Sequence, residues 1–389
     1  MKIVRKRMTV PAAMLILIIL FSPCALAYSG ASSGTDGILK EQAQKSGISS
    51  LPDKLPAQAK KALEKMGVKG PLSLSAFTPS GIISFCLSSL KNDVKAPAAA
   101  CGAVLGILLI CTLAGTFGAS QGAPQSGGSP AQVAGLVSTL CIITLLAPPL
   151  LKCFKYCGGV IKSSSAFSLA LIPVFTALTA ASGHPASAAV YHGLLMAVCQ
   201  FVSVCMSTFF IPMAGMYLAF CVIGSISPGV DIGSIAAFVR KTACAALIGV
   251  MTVFTGILTV QSVISQATDS VSLKTAKFIV GSAVPVIGGA VSDAVNTVLG
   301  CAGILRSAAG AFAIASVIIL FLPPLIDCGL WMIACGVSAL FADMLGAAGA
   351  ASLLRAVGEA VKLVAALVFA CAMALTVSFA VTVTMGMNT

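Results

Sequence analysis

Apolar runs long enough to cross a bilayer follow one another through most of this 389-residue chain, and that feature constrains its fold more than any other. Hydrocarbon offers no water to backbone N–H and C=O groups, so a spanning segment must be a helix or part of a closed barrel. Barrel strands alternate polar and apolar residues, whereas here whole stretches are continuously apolar. Hydrophobic residues make up 58% of the chain and charged residues 9%, against about 25% charged in a soluble domain. An ordinary soluble enzyme is thereby excluded, as is intrinsic disorder, which needs low hydrophobicity and high charge. The fold class expected is all-α, a polytopic transmembrane helix bundle.

A helical crossing needs about 20 mainly apolar residues. The segments that qualify are 97–118, 131–151, 166–182, 186–206, 208–227, 242–264, 301–322, 325–345 and 361–386, so about 8–9 spans are expected. Two shorter parts precede this membrane domain of residues 97–389. Residues 1–27 have the layout of a signal peptide: Lys2, Arg5, Lys6 and Arg7 are followed by an apolar run over 10–21 and the helix breaker Pro23. Ala25 and Ala27 supply the small residues of a cleavage site. Residues 28–96 form a polar extracytoplasmic segment with nine Lys against five acids. Within it, 57–66 is patterned as a short amphipathic helix, and 72–90, with six Ser and Pro79, is suited to lie in the interface or dip into the bilayer. The chain is placed in the cell membrane as a multi-pass protein. Orientation stays open, because Lys152, Lys155 and Lys162 conflict with the Arg240–Lys241 pair under the positive-inside rule.

Net charge is +12, but thirteen of the 23 Lys and Arg fall in residues 1–96. One Trp and four Tyr offer no stacking platform for bases. The surface partner is therefore the lipid bilayer, and nucleic acid is excluded. Searches for catalytic signatures find no HExxH, P-loop, GxGxxG or GxSxG. No catalytic residue, cofactor or metal is expected. Most of the fifteen Cys lie in apolar segments, where a thiol acts as a small hydrophobe. Cys153 and Cys157 are four apart and can share a helix face, but neither a paired His nor a second Cys couple is near them in sequence. Gly102 and Gly106 make a GxxxG step suited to close helix packing.

Charge reappears at 261–306, which holds Asp269, Lys274, Lys277, Asp293 and Arg306. Lys274 and Lys277, three apart, lie on one helix face. Residues 278–300 could cross, but Pro285, Gly288 and Gly289 interrupt the middle. Two half-helices meeting there describe a re-entrant hairpin, tolerated at membrane depth only under protein or beside a water-filled cavity. Asp293 and Asn296 would then face an interior or a pore. A charge at the bilayer centre costs about 2.5–3.5 kcal/mol, so Asp293 needs a partner such as Lys277 or Arg306. Arg355, Glu359 and Lys362, at i, i+4 and i+7, can neutralise one another. A repeat is also visible: residues 143–153 (ITLLAPPLLKC) match 318–328 (IILFLPPLIDC) at six of eleven positions. Duplicated halves are a feature of transporters.

The run LKTAKFIVGSAVPVIGGAVSDAVNTVLG at 273–300 resembles the stage III sporulation protein AE family of endospore-forming Firmicutes. The order of signal peptide, polar segment and apolar remainder is similar too. The resemblance implies a non-enzymatic subunit of the channel-like complex joining mother cell and forespore after engulfment, in the mother-cell membrane around the forespore. Its implied partners are the other stage III sporulation A operon proteins and stage II sporulation protein Q. Two alternatives are a stand-alone ion-coupled secondary transporter using Lys277 and Asp293, and a scaffold for assembly of the complex. A cleaved signal peptide suits the subunit better than the lone carrier, whose first span normally inserts itself.

Overall fold

The structure, a computed structural model, describes residues 44, 48–65, 79–120, 130–182, 185–226, 232–283 and 288–384, with the backbone alone over 261–296. The proposed cleavage residues Ala25 and Ala27 lie outside the described residues. Every described element is helical. A 3-10 turn at Ile48–Lys54 leads into α1 (Ala57–Lys65), α2 (Pro79–Asp93), α3 (Lys95–Ser120) and α4 (Pro130–Ala181). There follow α5 (Pro185–Val204), a π-helical turn (Cys205–Phe210), α6 (Ile211–Ile226), α7 (Ile232–Ala283), α8 (Gly288–Met344) and α9 (Ala348–Thr384).

Local chemistry sets several ends. Pro79, Pro130 and Pro185 open α2, α4 and α5, where the missing N–H would have had no helical partner and the fixed φ suits the first turn. Helix α8 closes on Gly346 at φ 73°, a left-handed position. Gly346 N–H donates to the Asp343 carbonyl at 3.1 Å and Ala347 N–H to Ala342 at 2.9 Å, the paired bonds of a Schellman motif. This tight end lets α9 fold straight back along α8.

Six helical stretches among the described residues are long and apolar enough to cross a membrane: Lys95–Phe117, Val133–Ala181, Met196–Ser225, Gly233–Val260, Leu299–Met344 and Ala348–Val383. The expected spans 131–151 and 166–182 fuse into α4, 186–206 and 208–227 run on through the π turn, and 301–322 and 325–345 fuse into α8. The sequence reading ends one span at 151, just after Pro148–Pro149, and parts two others at Pro323–Pro324, yet both proline pairs sit inside helices that continue past them. A proline removes one N–H and crowds one carbonyl, and neighbouring helices in a membrane bundle make good that loss. The charged stretch after the first pair stays helical because it is amphipathic. Cys153, Phe154, Cys157, Val160 and Ile161 are buried, while Lys152, Lys155 and Lys162 on the other side are exposed.

Helix α8 is the axis of the molecule. Its most apolar stretch is 89% buried, against 28% for α4 and 17% for α3. Around it pack α9, α4, α3 and α2. The amphipathic reading of 57–66 has a physical counterpart in α1, whose Ala59 and Leu63 are buried against the bundle together with Ile48 and Leu51. Lys60 faces out and pairs with Asp53 at 2.7 Å. The GxxxG glycines of α3 do not mediate packing inside the chain, since a Cβ on Gly102 or Gly106 would meet only open space.

Helices α4 and α8 cross antiparallel. Phe175 of α4 lies beside Gly310 of α8, Cys153 and Cys157 lie against Cys328, and Thr139 lies beside Gly349 just past α8. The repeat windows meet at this crossing: Cys153 and Cys328, 175 residues apart, have their sulfurs 3.9 Å from each other. Residues related by a duplication touch each other only on a local two-fold axis. Shifting the Phe175–Gly310 pair by one repeat gives Ala350 and Gly135, next to the observed Gly349–Thr139 contact. The two windows are thus packed as inverted repeats, an arrangement known from transporters. The symmetry is local, because α8 ends at Met344 whereas the equivalent part of α4 continues as helix.

Candidate functional site

The expected hairpin at 278–300 falls on the junction of α7 and α8. Helix α7 runs to Ala283 and α8 starts at Gly288, while residues 284–287, Pro285 among them, lie outside the described residues. The flanks are not short half-helices. They are the ends of helices of 52 and 57 residues. Lys274 and Lys277 belong to the last turns of α7, and Gly288, Gly289, Asp293 and Asn296 to the first turns of α8.

Arg306, the remaining candidate, is 2% exposed and donates a hydrogen bond to the Thr382 carbonyl of α9. It cannot serve as the partner of Asp293. Both residues lie on α8, where thirteen residues correspond to about 20 Å of axial rise. Arg306 instead ties α8 to the end of α9. The trio Arg355, Glu359 and Lys362 is also rearranged: Glu359 pairs with Arg240 of α7 at 2.9 Å and Lys362 at 3.7 Å, while Arg355 pairs with Asp343 of α8. These bonds join α7, α8 and α9, where sequence spacing suggested charges balanced within α9.

Sequence reasoning missed a second polar cluster at the α4–α8 crossing. Cys153 and Cys157 of α4 converge on Cys328 of α8, at sulfur distances of 3.9 and 3.7 Å. The Asp327 carboxylate lies against the Cys153 thiol and against Trp331. Beside it opens a cleft of about 230 Å³ lined by Asp93, Ser89, Phe85, Tyr156, Pro323 and Ala59, so α1 and α2 close over the crossing. Burial pushes the Asp93 carboxyl above its ordinary range. The repeat was the available signal, since it aligns Cys153 with Cys328. What it could not supply was that the two repeats touch.

No solved structure matches the chain. The Stage III sporulation protein AE of Bacillus subtilis (strain 168) is 26% identical over 243 residues, which cover 62% of this chain and 60% of that protein. The chain therefore matches somewhat under two thirds of that relative's length. The family described as Stage III sporulation protein AE matches residues 63–386, a range that takes in both the α4–α8 crossing and the 273–300 run, and the chain belongs to that family.

Proposed function

We propose that this protein is a non-enzymatic membrane subunit of the channel-like complex that joins mother cell and forespore after engulfment. In this reading it sits in the mother-cell membrane around the forespore. It assembles with other stage III sporulation A operon proteins and, through residues 28–96, meets stage II sporulation protein Q across the intermembrane space. Family membership supports the sporulation setting. The observation that carries the subunit role is an excess of apolar helix. Helix α4 is apolar over 49 residues but only 28% buried in its most apolar part. Such a stretch rises about 73 Å, more than twice the hydrocarbon thickness of about 30 Å. The surplus needs protein to cover it, which a multi-subunit assembly supplies.

The 278–300 hairpin lines or gates the conduit, with Lys277 and Asp293 facing its interior. Deleting the gene in the spore-forming host tests the assignment: forespores are expected to engulf normally, then shrink and lose late transcription. Normal spores in a host with no second copy overturn it. Lys277→Ala and Asp293→Ala are each expected to reproduce the arrest while leaving the protein in the membrane. Full activity with both changes would remove the pore-lining role.

The packing of α4 and α8 as inverted repeats favours one second reading, a self-sufficient ion-coupled transporter. Purified protein in liposomes discriminates, because the lone carrier moves solute by itself and the subunit does not.

A further inference from the structure

Three cysteines from two helices bring their sulfurs together at the α4–α8 crossing, and the conduit reading leaves them without a task. Cys153 and Cys157 stand one turn apart on α4, so both thiols leave the same face. Cys328 comes from α8, with its sulfur 3.9 Å from Cys153 and 3.7 Å from Cys157, and all three sulfurs lie within 4.8 Å of one another. The residues are 3%, 0% and 0% exposed. A disulfide brings sulfurs to about 2.05 Å, so the three are free thiols at these distances. A tetrahedral ion with metal–sulfur bonds of about 2.3 Å holds its sulfurs about 3.8 Å apart, which is the spacing of the two measured pairs. Thiols are weak donors and weak acceptors to one another, so mutual hydrogen bonding gives little reason for three to converge.

We propose that Cys153, Cys157 and Cys328 bind one thiolate-seeking d10 metal ion, zinc(II) in the first instance, with the Asp327 carboxylate beside Cys153 at the edge of the site. Thiolate sulfur selects zinc and copper(I) from the common ions. Binding converts three thiols to thiolates and releases three protons to solvent. A divalent ion then leaves the three-thiolate site with one net negative charge and a monovalent ion with two, and burial penalises the larger charge. The ion would clamp the two repeats where they touch, fixing the angle between the two longest apolar helices. The remaining ligand of the set, Cys157, has Met332 at its repeat-equivalent position, so the site breaks the local symmetry and cannot be filled twice.

The test uses the full chain, purified in detergent under reductant, exposed to zinc(II) and then washed free of loose metal. About one zinc per chain is expected, and cobalt(II) in its place should give intense thiolate-to-metal charge-transfer absorption. Cys157→Ser and Cys328→Ser should each abolish both signals, while Cys371→Ser, a buried thiol of α9, should keep them. Copper(I) displacing zinc with the same three-cysteine dependence supports the site and names the other d10 ion as its occupant. Wild-type protein that retains no metal and shows no charge-transfer band overturns the proposal, a result independent of how the variants fold. Metal that persists in Cys328→Ser, or a disulfide to Cys328 in the purified chain, overturns it too.

Discussion

At the residue scale, Gly310 shows how one missing side chain sets a helix contact. A Cβ at this position would collide with Cγ2 of Val383 and come within 3.4 Å of its Cβ. Valine is stiff about χ1, so the neighbour cannot swing aside and α9 must move. Gly310→Ala is expected to destabilise the protein by about 1–3 kcal/mol, read as a lower thermal midpoint in detergent; an unchanged midpoint would mean that the end of α9 yields freely. Asp93 makes a pH prediction. Partial burial raises its carboxyl above the ordinary range, so the folded state holds the proton more tightly than the unfolded one. Stability is then lost as pH rises from the ordinary aspartate value through the raised one. Asp93→Asn should flatten that part of the stability–pH profile, and a profile with the same slope in the variant would assign it elsewhere. Sequence offered Arg306 as a counter-charge for Asp293, whereas its bond to the Thr382 carbonyl joins residues 76 apart in the chain.

At the scale of elements, the proline pairs decide how far hydropathy can be read. A window of about 20 residues cannot distinguish two spans, 131–151 and 166–182, from one long helix that runs on past Pro148–Pro149, and the same holds at Pro323–Pro324. The structure resolves this in favour of continuity. The buried face of 153–161 runs on at helical spacing, and α8 beyond its prolines is covered by α3, α2 and α9. If the prolines are merely tolerated, Pro323→Ala and Pro324→Ala restore backbone donors and should keep or raise the thermal midpoint. A fall would show that the pair shapes α8 to fit its neighbours. The starts of α2, α4 and α5 fall at Pro79, Pro130 and Pro185, and the turn into α9 rests on Gly346. Those signals are local, set by one proline or glycine each.

For the whole molecule, the antiparallel meeting of α4 and α8 is the feature with the widest consequences. It predicts that Thr139→Cys combined with Gly349→Cys forms a disulfide on mild oxidation, since Thr139 Oγ1 already lies 3.5 Å from where a Gly349 Cβ would stand. Peptide mapping would find that cross-link, and its absence would contradict the inverted packing. The sequence by itself determined the membrane class, the all-helical character of the described residues and the amphipathic α1. Each follows from composition or from periodicity within one stretch, which local solvation and backbone hydrogen bonding enforce. Only the tertiary structure decided that the nine apolar segments fall on six candidate crossings among the described residues, that Arg355 pairs with Asp343, and that three thiols converge. These depend on which faces of distant helices meet, and in so uniformly apolar a chain hydropathy is nearly the same all round each helix, so the choice among faces is made by small residues, polar contacts and shape.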